Sequence, residues 1–175
     1  MNKLRKNNRH SIRMKGYDYS KAGVYYITIC TQNRKCLFGD IINGEMQLND
    51  TGSVVVDEWM KIPGTQQGIE LEEWVVMPNH FHGIIIFTES VGAIHESPLP
   101  MTQKQRRNMG LPKLIGRFKM LSSKKINEIR QTPGVKLWQR NYWEHIIRNN
   151  DELINIREYI RNNPRKWSSD QNKGN

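Results

Sequence analysis

Two histidines one residue apart, His80 and His82, open an apolar run, Gly83-Ile84-Ile85-Ile86-Phe87. On a β-strand alternate side chains share a face, so both imidazoles point one way and Phe81 the other. Two imidazoles side by side can chelate one divalent cation. The plainer reading of such a pair is two histidines at the end of a sheet, satisfied by backbone or water. The run that follows is apolar on both faces, as in a central strand, so the pair is expected at the mouth of a buried strand, where polar groups need a reason. The second candidate is Tyr159, which on a helix shares a face with Asn163 one turn later. A tyrosine has a free pKa of about 10, so a nearby cation that favours phenolate would help it act as a nucleophile. The same spacing suits an ordinary core tyrosine, and Tyr25, Tyr26 and Tyr142 are rivals that spacing does not separate.

The elements that must position these groups follow from pattern. Residues 23–31, GVYYITICT, are β-branched and aromatic and predict a buried strand. Asn43-Gly44, between Gly39–Ile42 and Glu45–Leu48, predicts a tight hairpin. Asn49-Asp50-Thr51 supplies N-cap chemistry ahead of Val54, Val55, Trp59 and Met60, and Pro63-Gly64 stops that helix. Residues 69–87 predict two strands joined through Met77-Pro78-Asn79. Residues 88–110 contain Gly92, Pro98 and Pro100 without periodicity and predict a long mobile loop. Leu111, Leu114, Ile115, Phe118, Leu121, Ile126 and Ile129 then recur at helical spacing, with Lys113, Arg117, Lys119, Lys124 and Lys125 between them. An aromatic and basic stretch, residues 137–145, leads to a last helix from Asn150-Asp151 to near Asn163, ended by Pro164. On that helix Leu153, Ile156 and Ile160 form the apolar stripe, with Arg157 and Arg161 expected outward. The organisation expected is a basic arm at residues 1–22, one domain at residues 23–167 and a polar tail at residues 168–175.

Composition narrows the function classes. The 175 residues suit one domain. No run approaches the roughly 18 apolar residues of a membrane span, and the basic N-terminus lacks an apolar signal segment. Cys30 and Cys36 are the only cysteines, too few for a disulfide framework, so a reducing cytoplasmic location is expected. Lys and Arg number 27 against 17 Asp and Glu, a net charge of +10, which points to nucleic acid. The net charge is +7 over residues 1–40, −8 over 41–100 and +11 over 101–175, so two basic ends flank an acidic middle.

Three blocks occurring in order carry a resemblance: WVVMPNHFHGI at residues 74–84, LWQRNYWEHIIRN at 137–149 and YIRNNP at 159–164. They resemble the REP-associated tyrosine transposases, which group with the single-tyrosine HUH transposases of small bacterial insertion sequences. The similarity runs from about Arg13 to Trp167. It implies an α+β fold, a ferredoxin-like (RRM-like) antiparallel sheet with helices packed on one face and the histidine pair on a central strand. It further implies that His80 and His82 bind Mg²⁺ or Mn²⁺ and that Tyr159 is the nucleophile. Asn163 stands where relatives carry a polar residue, often Gln, that completes the metal site; its side chain is one methylene shorter. The activity implied is a transposase and endonuclease that binds single-stranded DNA with palindromic hairpins, cleaves it through a 5′-phosphotyrosine and rejoins strands. The protein would be a monomer or homodimer associated with the nucleoid. The alternative is a catalytically inactive protein that binds DNA hairpins. An RNA-binding RRM-like module is a third reading, weakened by the lack of an aromatic-rich RNP strand.

Phosphate contacts are expected from Arg117 and Lys119 on the basic helix, from Arg140 and Arg148 within the block at residues 137–149, and from Arg13 in the arm. Trp138 and Trp143 suit either base stacking or the core.

Overall fold

The computed structural model describes residues 21–65, 67–88 and 110–169. Most of the basic arm with Arg13, nearly all of the expected 88–110 loop and the end of the polar tail lie outside the described residues. Nine regular elements are described: β1 (Gly23–Cys30), β2 (Gly39–Ile42), β3 (Glu45–Leu48), α1 (Asp50–Met60), β4 (Ile69–Met77), β5 (His80–Phe87), α2 (Gly110–Ile129), β6 (Trp143–Ile147) and α3 (Asn150–Asn162).

β4, β5, β1 and β6 pair in that order into an antiparallel sheet, with β5 and β1 central. In chain order β1-α1-β4-β5-α2-β6 is the split βαβ arrangement of ferredoxin-like folds, as expected. The β2–β3 hairpin is inserted before α1. Its Asn43 and Gly44 both adopt positive φ, 55° and 79°, as a two-residue hairpin turn of this twist requires. Asn49 caps α1 by accepting from the Gly52 N–H at 3.0 Å, and Asn149 caps α3 through the Glu152 N–H at 2.8 Å.

Strand alternation divides the core. Tyr25, Ile27 and Ile29 of β1 and Phe81, Ile85 and Phe87 of β5 face α1 and α2, burying Val55, Trp59, Leu111, Ile115 and Phe118. Tyr26 and Ile84 face the other way, onto a smaller cluster with Ile147 and Ile160. The expectation of helices on one face therefore holds for α1 and α2, while α3 lies across the opposite face. A ring cluster holds the larger layer: the Trp59 ring lies tilted against Phe81 at 4.5 Å and edge-on to Phe118 at 5.4 Å. Gly83 makes room for it, since a Cβ there would sit 2.7 Å from the Trp59 indole and 2.9 Å from the Phe81 ring. Both neighbours are fully buried and cannot swing aside. We expect Gly83→Ala to destabilise the fold by about 1–3 kcal/mol, read as a lower denaturation midpoint at unchanged slope.

Two features differ from the sequence-based expectation. The stretch after Trp138 contains an edge strand, β6, paired with β1 from Trp143↔Thr28 to Ile147↔Val24. Arg161 is exposed as expected and Arg157 is half-buried, but neither stands alone: Arg157 pairs with Glu72, and Arg161 Nε lies 2.6 Å from Glu73 Oε2. A register shift in β4 between Leu71 and Trp74 places these two glutamates, and the irregularity turns acid toward α3.

Candidate active site

His80 and His82 lie at the start of β5 and are fully buried, on the sheet face that α3 covers. Their rings are 4.6 Å apart and nearly perpendicular. The tip of the β4–β5 hairpin is itself built in. Pro78 C=O accepts from the Leu37 and Phe38 N–H groups, and buried Asn79 donates from Nδ2 to the Arg34 carbonyl at 3.0 Å. The other end of that amide, Oδ1, lies 2.8 Å from His80 Nδ1 and orients its ring.

His82 is positioned from the neighbouring strand. Register pairs it with Thr28, and Thr28 Oγ1 and Tyr26 Oη each lie 2.8 Å from its Nδ1. Burial first, and then the charge of the adjacent His80, hold His82 well below the ordinary histidine range, so it is neutral at physiological pH. With an Nδ1–H donating to these hydroxyl oxygens, Nε2 carries the lone pair. That atom is buried and has no hydrogen-bond partner among the described residues.

Tyr159 reaches this face from α3. Ile160, Leu153 and Ile156 dock the helix on the smaller cluster, and the Arg157–Glu72 and Arg161–Glu73 pairs tie its outer side to β4. The Tyr159 ring then lies 5.4 Å from His82 and 6.4 Å from Tyr26, edge-on to both. It is 41% exposed, against 6% for Tyr26 and 0% for Tyr25. Asn163, one turn later, is buried, and its Oδ1 has no hydrogen-bond partner among the described residues. Pro164 opens a short 3₁₀ turn, Pro164–Ser169, that lays Trp167 5.9 Å from the His80 ring.

The expected phosphate ligands are more scattered. Arg117 and Lys119 belong to α2, on the far face of the sheet. Lys119 Nζ donates to the Gln139 carbonyl at 2.6 Å and to that of Arg140 at 3.1 Å, bracing the segment before β6. Arg140 is exposed next to the histidine end of the sheet: the Gln139 N–H donates to the carbonyl of Cys30, the residue paired with His80. Arg148 is exposed at the entry to α3. Trp138 proves to be core, donating from Nε1 to Ser122 Oγ at 3.0 Å and packed on Phe38 and Phe118. Trp143 is 43% exposed.

Sequence reasoning missed Thr28, Asn79 and the pairing of Tyr26 with His82. Alternation along β1 puts Tyr26 and Thr28 on one face, but which strand lies beside β5 is not written in either segment.

Three comparisons bear on identity. No protein-family model matches the chain. An uncharacterized Haemophilus influenzae protein is 44% identical over 170 residues, spanning 93% of this chain and 92% of that one. A second H. influenzae protein, assigned to the REP-associated tyrosine transposases, is 30% identical over 152 residues, spanning 85% of this chain and 74% of that one. Among solved structures, a REP-associated tyrosine transposase bound to a REP hairpin superposes with a TM-score of 0.54 at 20% identity, covering 89% of this chain and 73% of that one. That likeness shows the shared fold, and the 30% identity over most of both chains shows the lineage. On that ground the chain belongs to the REP-associated tyrosine transposases.

Proposed function

We propose that this protein binds single-stranded DNA carrying a palindromic hairpin, cleaves the strand beside it through Tyr159 and rejoins strands. The observation that carries the reading is the approach of an exposed tyrosine ring to 5.4 Å from the ring of His82, one of a buried histidine pair from the other half of the chain. The hairpin partner is taken from the solved relative, whose structure holds one. The net charge of +10 supports a polyanionic substrate.

The donor set fits a divalent cation. His82 is neutral, with its Nδ1 engaged and a buried Nε2 that has no hydrogen-bond partner among the described residues, and Asn163 presents a buried amide oxygen in the same condition. We assign His80, His82 and Asn163 as the residues that would hold Mg²⁺ or Mn²⁺. A cation bound there would supply Lewis-acid stabilisation of charge on a scissile phosphate.

The protein's own groups supply the rest. Tyr159 Oη attacks phosphorus and loses its proton; the P–O3′ bond breaks, and its electron pair leaves on O3′, which takes up a proton as a free 3′-OH. The strand stays joined through a 5′-phosphotyrosine. One phosphodiester replaces another, so a 3′-OH from a second strand can reverse the step without an external energy source. Tyr26 and Thr28 hold His82 in orientation, and Asn79 holds His80.

The test is incubation of the protein with Mn²⁺ and labelled oligonucleotides copied from the palindromes beside its own gene, followed by a denaturing gel. Protein-linked label that disappears with EDTA is the expected result. Tight hairpin binding with no covalent band would replace this reading with that of an inactive hairpin-binding protein.

A further inference from the structure

One aromatic group on the catalytic face has no role in that scheme. Trp143, at the start of edge strand β6, is paired across β1 with Thr28, which in turn is paired with His82. The three side chains stand in one row on one sheet face, and Trp143 is two strand spacings from His82, about 10 Å. Its indole lies nearly parallel to the His145 ring, at 5.7 Å and 6°. It also meets Tyr26 at 5.4 Å in an edge contact. The backing ring is itself fixed, because His145 Nε2 lies 2.5 Å from Glu152 Oε1. The other carboxylate oxygen of Glu152 accepts from the Arg148 N–H at 2.8 Å.

The His145 ring lies parallel behind the indole, and Trp143 nevertheless remains 43% exposed. Trp59 and Trp138 are buried in the larger core, and Trp74 and Trp167 are partly buried, so Trp143 is the most open indole among the described residues. A ring held rigid from behind, open in front and level with the reacting groups is a stacking surface. Its ligand class is a flat, unpaired base, since a base within a duplex has both faces covered by its neighbours. Charge agrees in sign: the chain carries a net +10, which favours a polyanionic strand.

We propose that Trp143, backed by His145 and Glu152, is a shelf on which one unpaired base next to the scissile phosphate stacks, selecting a single-stranded flank over continued duplex. The shelf rests on the single-strand cleavage reading and adds the recognition of the flank to it. Tyr159 handles the phosphorus; Trp143 sets which nucleotide lies beside it.

Anisotropy titrations of the full-length protein in EDTA test this, using the gene-flanking hairpin with its single-stranded extension, the bare hairpin, and a set carrying one abasic site walked along the extension. Trp143→Ala is expected to weaken binding of the extended oligonucleotide about tenfold while changing the bare hairpin less than about twofold. One abasic position should cost wild type a similar factor and cost Trp143→Ala nothing more, the non-additivity that marks a direct contact. Trp143→Tyr should retain most of the affinity and Trp143→Leu lose it at matched thermal stability, which keeps the test decisive if the alanine variant folds poorly. Unchanged affinity and an unchanged abasic profile in the Leu variant, with the Tyr159 adduct still formed, would overturn the shelf and leave the cleavage reading standing. If wild type binds the extended oligonucleotide no better than a duplex of equal length, both are overturned.

Discussion

Tyr159→Phe is expected to abolish protein-linked DNA entirely while leaving hairpin affinity within about threefold of wild type. The substitution removes one oxygen and nothing else. The ring contacts with His82 and Tyr26, and the docking of α3 through Ile160 and the two arginine–glutamate pairs, do not involve that oxygen. Loss of a nucleophile removes the covalent step outright, whereas binding energy comes from many phosphate and base contacts. The rival tyrosines are placed unfavourably for attack. Tyr26 is buried with its hydroxyl on His82, Tyr25 faces the opposite layer and donates to the Lys21 carbonyl at 3.0 Å, and Tyr142 packs against the larger core. A covalent band surviving in Tyr159→Phe would show that the assignment is wrong, and mapping the labelled peptide would identify the true nucleophile.

The metal-free protein is expected to lose stability as the pH falls from 6.5 toward 5, and His82 is the group responsible. Its folded pKa is depressed, by burial first and by His80 second, while in the unfolded chain it titrates near 6.5. Below that value the unfolded chain binds the proton and the folded chain does not, so protonation favours unfolding. The loss approaches about 1.4 kcal/mol per pH unit between the unfolded and folded values, and stability is fully recovered above about pH 7.5. Urea denaturation in EDTA across pH 5 to 7.5 measures it, and His82→Gln should flatten that segment of the curve. The depressed carboxyls of Glu58, set by Lys125 and Lys61 against burial, and of Glu152 act in the same sense but below their unfolded pKa near 4.5. Mn²⁺ at one hundred times its dissociation constant should raise wild-type stability by about 2.7 kcal/mol and leave His82→Gln nearly unmoved. A wild-type curve flat from pH 5 to 7, or metal stabilisation that survives His82→Gln, contradicts the site as drawn.

Much of the architecture was legible in the residues. The Asn-Gly turn, the asparagine N-cap of α1, the two strands around Pro78-Asn79 and the amphipathic α2 all lie where pattern puts them, because each is decided by neighbours within a few positions. β6 escaped notice because it is only Trp143–Ile147, an edge strand preceded by polar residues, and its pairing with β1 spans more than a hundred positions. The pairing of the α3 arginines with Glu72 and Glu73 is not legible in pattern, because the register shift in β4 beside those glutamates has no local signature.

The sequence alone determined that His80 and His82 share a face, that Tyr159 and Asn163 share another, and that the chain is basic at both ends. Those follow from periods of two and of about four residues and from counting charges. Tertiary structure alone decided that the two faces meet, that Tyr26 and Thr28 grip His82, that Trp138 is buried while Trp143 is open, and that α2 carries Arg117 and Lys119 to the far side of the sheet. Those depend on strand order and on which face each helix crosses, and both are set by the packing of segments distant in the chain rather than by any one of them.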